Sequence, residues 1–114
     1  MTKRIISVRN PERFKGIDEQ TFYVTDNFTG LCAHFLVSEK PIGNPPIYLI
    51  HGRCGYVVDY NPNLQKATDC AYKLALSFAK YEAERFGVKV RDLTLRAQRS
   101  VRRKAEPHMI CCED

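Results

Sequence analysis

The sequence predicts an α+β domain in which an antiparallel sheet of three to five strands packs against one long helix, followed by a basic C-terminal helix or tail. Three observations lead there. Between Thr21 and Tyr60, short β-branched and aromatic runs alternate with turn clusters rich in Gly, Pro, Asn and Asp. Between Leu64 and Tyr81, apolar residues recur at three- and four-residue steps. The links between the strand-like runs are too short for parallel crossovers, which take about a dozen residues or more. At 114 residues the chain reads as one domain, 1–114. It divides into a basic N-terminal segment (1–20), the sheet (21–60), the long helix (61–87) and a basic segment with a frayed tail (88–114).

In chain order, "RIISV" can form a short strand, and "NPERFKG" is a turn punctuated by Pro11 and Gly16. "TFYVT" and "LCAHFLVS" are strands joined by the turn cluster "DNFTG". Alternation puts Leu31, Ala33, Phe35 and Val37 on one face, and Cys32, His34, Leu36 and Ser38 on the other. "EKPIGNPP" is a loop. "IYLIH" and "YVVDY" are two further strands around "GRCG", whose glycines read as turn residues.

Asn61 is the expected N-cap of the long helix, with Pro62 at its first position and Gly87 as the left-handed residue after Phe86. Its expected buried stripe is Leu64, Ala67, Ala71, Leu74, Phe78 and Tyr81, with Leu76 exposed on the charged side. Such a rod is on the order of 37 Å long, so one end is expected to overhang the sheet. "VKV" is a short strand or a linker. A second helix is expected from Asp92, with Leu93, Ala97, Val101 and Ala105 on a thin stripe that docks weakly or orders on binding.

Charge narrows the function classes. The chain has 18 Lys and Arg against 13 Asp and Glu, a net charge of +5. The excess sits at the two ends. Residues 88–104 hold Lys89, Arg91, Arg96, Arg99, Arg102, Arg103 and Lys104 against Asp92 alone. No apolar run reaches the ~18–20 residues of a membrane span, and no apolar core follows the N-terminal charges as in a signal peptide. Five cysteines at scattered spacings make a poor disulfide framework, so a cytoplasmic, reducing location is expected.

Two chemical constellations are minor readings. His51-x-x-Cys54 and His108-x-x-Cys111, with Cys112 adjacent, supply the residue types of a tetrahedral zinc site but lack a CxxC knuckle. Cys54, beside Arg53 and three residues from His51, can be read as a nucleophile, with His34 nearby and Asp26 or Asp59 as orienting acid. No Walker or dinucleotide glycine loop, paired-carboxylate motif or HExxH is present. No catalytic residue, metal or cofactor is therefore expected.

The leading expectation is a non-enzymatic domain that binds nucleic acid. Arg53, Arg96, Arg99, Arg102, Arg103 and Lys104 would contact phosphates, assisted by Lys3, Arg4 and Arg9. Tyr23, Tyr48, Tyr56 and Tyr60 would stack on bases or fill the core. In architecture the strands-then-helix order resembles double-stranded-RNA-binding domains and the small three-stranded-sheet DNA-binding domains of phage integrases. No motif of either matches, and "NPNLQKATDC" lacks the clustered lysines of the former. The alternative is a protein-binding inhibitor or adaptor, possible for a virus- or phage-encoded protein, that docks its arginines on an acidic partner surface. Leu76 and an overhanging helix permit a homo-oligomer. DNA against RNA, sequence preference, organism and pathway are left open.

Overall fold

The computed structural model describes residues 3–13, 16–30, 32–40 and 44–104; for Cys32 and residues 100–104 it describes the backbone alone. The central strands form a meander: β4 (Thr21–Asp26), β5 (Cys32–Glu39), β6 (Tyr48–His51) and β7 (Val57–Asn61). β1 (Ile6–Arg9) pairs antiparallel with β4, and β8 (Val90–Asp92) pairs parallel with β1. The sheet thus has six strands in the order β7-β6-β5-β4-β1-β8. A separate two-stranded hairpin consists of β2 (Glu12–Arg13) and β3 (Gly16–Ile17).

The expected antiparallel sheet of three to five strands is therefore corrected to a mixed sheet of six. Short links constrain only strands that are neighbours in sequence. Helix α1 (Leu64–Phe86) carries the chain across the sheet, and β8 then takes the open side of β1, which lies near the other end of the chain. A helical connection of this kind permits parallel pairing, which a tight turn does not.

α1 begins two residues later than expected. Asn63, with φ −102° and ψ 119°, is the N-cap, and its Oδ1 accepts the Lys66 N–H at 3.0 Å. Asn61 instead ends β7 and accepts the Asn63 N–H through its side chain at 2.8 Å. Gly87 closes the helix at φ 66°, with its N–H donated to Glu84 O at 3.3 Å.

The fully buried ladder is Ala67, Ala71, Ala75, Ala79 and Ala83, spaced by four; of the expected stripe Ala67 and Ala71 belong to it, Leu64, Leu74 and Phe78 pack against it partly buried, and Tyr81 is 61% exposed. Alanines let the helix axis approach the sheet, whose Ile6, Val8, Phe22, Val24, Phe35, Val37 and Ile50 fill the space between the layers. Larger helix residues flank this ladder: Tyr72 packs on Phe22 and Phe78 on Phe35. Leu76 packs against the core instead of standing in water. The helix also meets all six strands, so its length is used in crossing the sheet and the expected overhang is not needed.

α2 (Leu95–Lys104) starts three residues beyond Asp92. Asp92 Oδ1 accepts the Thr94 N–H and hydroxyl, and Thr94 Oγ1 accepts the Ala97 N–H, so Thr94 caps the helix. Tyr72 donates its hydroxyl to Asp92; burial and then this hydrogen bond push the phenol up to about 12. Among the described residues no helix is long and apolar enough to cross a membrane.

Candidate functional site

Strand alternation sends one set of side chains under α1 and leaves the other on a face that no helix covers among the described residues. From the pairing register, this open face carries Arg91 (β8), Ser7 and Arg9 (β1), Thr21, Tyr23 and Thr25 (β4), and His34, Leu36 and Ser38 (β5). It continues through Leu49 and His51 (β6) to Val57 and Tyr60 (β7).

Charge on the sheet is segregated. Its four carboxylates, Asp26, Glu39, Asp59 and Asp92, all stand at helix-side positions, opposite Ile6, Tyr48, Ile50 and Val8. On the open face the charged strand residues are Arg9 and Arg91. Asp26 is 2% exposed and accepts Arg4 Nη2 at 2.6 Å, Arg4 Nε at 3.2 Å and the Phe28 N–H at 2.9 Å. Burial by itself would raise the Asp26 carboxyl; Arg4 and the Phe28 N–H together outweigh it and hold the group below its usual 3.8.

Arg9, Tyr23 and His34 lie in one row across three strands, with the Tyr23 and His34 rings 5.7 Å apart. Arg9 Nε is buried and has no hydrogen-bond partner among the described residues. At the other end of β1 and β8, where both strands begin, Lys3, Arg4, Lys89 and Arg91 line a cleft of about 350 Å³ that has no acidic lining residue among those described. Over β4 and β5, the β2–β3 hairpin borders an open cavity of about 720 Å³ lined by Thr21, His34, Leu36 and Ser38 of the sheet and by Glu12, Arg13 and Asp18.

The residues singled out in the sequence are not brought together. Arg96 pairs with Asp69 of α1 and lies over the Tyr72 ring, 4.8 Å from its centroid. Arg99 pairs with Glu19 at 2.7 Å. Both cations are therefore held against carboxylates. Arg102, Arg103 and Lys104 lie in the part of α2 described by its backbone alone. Arg53 belongs to the β6–β7 turn, well away from β1 in the sheet order, and lies over Phe78 at 5.2 Å. Of the assisting residues, Arg4 is committed to Asp26, Lys3 lines the cleft where β1 and β8 begin, and Arg9 stands on the open face. Tyr48 packs against the core; Tyr56 and Tyr60 are 77% and 65% exposed.

"GRCG" is a turn. The Gly55 N–H is donated to Gly52 O at 2.9 Å, and Gly55 has φ +86°. Gly52 stands against β7, where an added Cβ would lie 3.0 Å from Val58 Cγ1. Both ring nitrogens of His51 are in contact with Ser38 and Gly55, not with Cys54. No cluster of three or more His, Cys, Asp or Glu suited to a metal occurs among the described residues, and His108, Cys111 and Cys112 lie outside them. The suggested orienting acids are elsewhere: Asp26 is bound to Arg4, and Asp59 is on the helix side. Burial, and then Asp59, push the Cys70 thiol up, away from thiolate chemistry.

Comparison with protein-family models, curated proteins and solved structures finds no match to the chain.

Proposed function

We propose that the open face of the sheet binds a polyanion, foremost a single-stranded nucleic acid. The observation that carries the reading is charge segregation: the carboxylates of the sheet strands stand at helix-side positions, and the open face carries Arg9 and Arg91. On this reading phosphates run along Lys3, Lys89, Arg91 and Arg9, and bases stack on Tyr23 and His34. Arg102, Arg103 and Lys104 remain in the proposal as additional phosphate contacts. Arg96, Arg99 and Arg53 stand apart from this face, Arg96 and Arg99 beside Asp69 and Glu19 and Arg53 over Phe78 at the β6–β7 turn, and are assigned a lesser part.

A salt titration with oligo-dT, oligo-U and a duplex of equal length tests this. Each neutralised phosphate contributes about −0.7 to the log–log slope on single strands. Arg9→Ala with Arg91→Ala is expected to flatten that slope by about 1.4, and Tyr23→Ala to weaken single-strand binding by about 1–3 kcal/mol. Arg99→Ala is expected to leave the slope unchanged. Absence of binding to all three ligands at low salt would overturn the proposal in favour of an acidic protein surface as partner, which a pull-down would then identify.

A further inference from the structure

Ser38 and His51 project to the open side of the sheet from neighbouring strands. His51 opposes Leu36 and Ser38 opposes Leu49, so the two are diagonal neighbours. Side chains in that relation start about 7–8 Å apart and meet only when one is long. Here the imidazole closes the gap. Nε2 is 2.7 Å from Ser38 Oγ, and Nδ1 is 3.1 Å from the Gly55 carbonyl oxygen. A carbonyl oxygen can only accept, so Nδ1 carries the ring proton. In the neutral ring Nε2 is then a bare acceptor, and the Ser38 hydroxyl donates to it. A general base facing a serine needs that tautomer, and the Gly55 carbonyl occupies the orienting place that a carboxylate takes in a serine triad.

Two local features produce this arrangement. The Gly52–Gly55 turn brings the Gly55 carbonyl back over β6, with Gly55 at a positive φ that other residues rarely adopt. The β6–β7 register also shifts between Ile50 and His51. Such irregularities re-aim a side chain and recur next to active sites. Ser38 in addition lines the cavity of about 720 Å³ beside the β2–β3 hairpin, with Leu36 as an apolar surface, Gln20 as an uncharged polar side chain in its wall, and Glu12 and the Arg13–Asp18 pair on the hairpin side. That volume falls in the range of about 300–1,000 Å³ typical of small-molecule sites.

We infer that Ser38 is a nucleophile, with His51 as its general base, for acyl transfer from a small carboxylic ester seated in this cavity. Ser38 Oγ bonds to the acyl carbon while its proton passes to His51 Nε2. The ester C–O bond breaks, and the departing alkoxide takes the proton from Nε2. Water, deprotonated by the same Nε2, then cleaves the acyl–serine bond, releasing the carboxylic acid and restoring Ser38. The Gln20 amide, in the wall of the same cavity, supplies an N–H for the oxyanion formed in each half. The inference goes beyond nucleic-acid binding and does not rest on it, because neither Ser38 nor His51 is among the proposed phosphate or base contacts, although the cavity shares His34 with the proposed stacking row.

The test is labelling of the intact chain by an alkyl fluorophosphonate, with the modified residue mapped by peptide mass spectrometry. The Ser38 oxygen bonds to phosphorus, fluoride leaves, and the serine proton departs through His51. One label is expected, on Ser38, with Ser7 and Ser77 unmodified, and none on the chain unfolded in urea. Ser38→Ala is expected to abolish labelling, and His51→Gln to slow it roughly 100-fold. The inference is overturned if the native chain is unlabelled, if the unfolded chain labels equally, or if Ser38→Ala keeps its label. Labelling of folded His51→Gln at the wild-type rate removes the base from the scheme. If His51→Gln does not fold, as judged by circular dichroism, the native-against-urea contrast and Ser38→Ala decide.

Discussion

Replacing Asp26 tests the electrostatics of this fold most directly. Its carboxylate accepts two hydrogen bonds from Arg4, at 2.6 and 3.2 Å, and one from the Phe28 N–H at 2.9 Å. The Arg4 side chain is 17% exposed and lies 3.4 Å from the Phe86 ring centroid, so truncation leaves a largely desolvated cation without its partner. Breaking one side of a buried pair costs about 3–5 kcal/mol. The residual exposure of Arg4 puts Asp26→Ala near the lower end, about 3 kcal/mol, and Asp26→Asn, which keeps acceptor geometry, at about 2 kcal/mol. Urea denaturation at pH 7 measures both.

The pH dependence follows in sign. The folded-state pKa of Asp26 lies below the ordinary 3.8, so its stabilisation is fully present above the unfolded value and is lost as pH falls through the folded one. The amide of the Asp26→Asn variant takes up no such proton, so the gap between wild type and variant should hold constant near neutral pH and narrow as pH falls below the ordinary 3.8 and through the folded-state pKa. A loss under about 1 kcal/mol at pH 7, or a gap that does not narrow in acid, would refute the account of the pair.

Two further predictions concern packing and the arginines of α2. Ala75→Leu, at a fully buried point of the helix–sheet contact, should cost about 1–3 kcal/mol by overpacking, whereas the same change at exposed Lys80 should alter the urea midpoint little. Arg96→Ala should cost about 1–1.5 kcal/mol through its Asp69 pair and its place over Tyr72, while Arg99→Ala, whose pair with Glu19 is more than half exposed, should cost under about 0.5 kcal/mol; equal effects in thermal melts would contradict this division.

The candidate site was legible only in part. Val8, Val24 and Val37 announce buried strand positions, and the three-and-four spacing announces α1, because burial imposes a period that side chains display locally. The same spacing did not separate the alanine ladder from the bulkier stripe beside it, since both repeat at helical period and only the approach of the sheet selects the smaller set. Arg96 and Arg99 look identical to free surface cations in sequence; Asp69 and Glu19, 27 and 80 residues away, hold them. Ser38 carried no signal, because its partner comes from a different strand, and the alternation that put it on the face of His34 did not show what stood beside it.

Local patterning in this chain determined the class of the fold, the hairpin turn at Gly52–Gly55 and the end of α1 at Gly87, all set by backbone preferences and by the period of buried side chains. Tertiary structure decided the rest. It returned β8 to the far edge of the sheet beside β1, put the carboxylates of the sheet strands at helix-side positions, and brought His51 to Ser38 instead of Cys54. These outcomes depend on which strands become neighbours, and strand neighbours are chosen by the packing of the whole domain rather than by any run of residues within it.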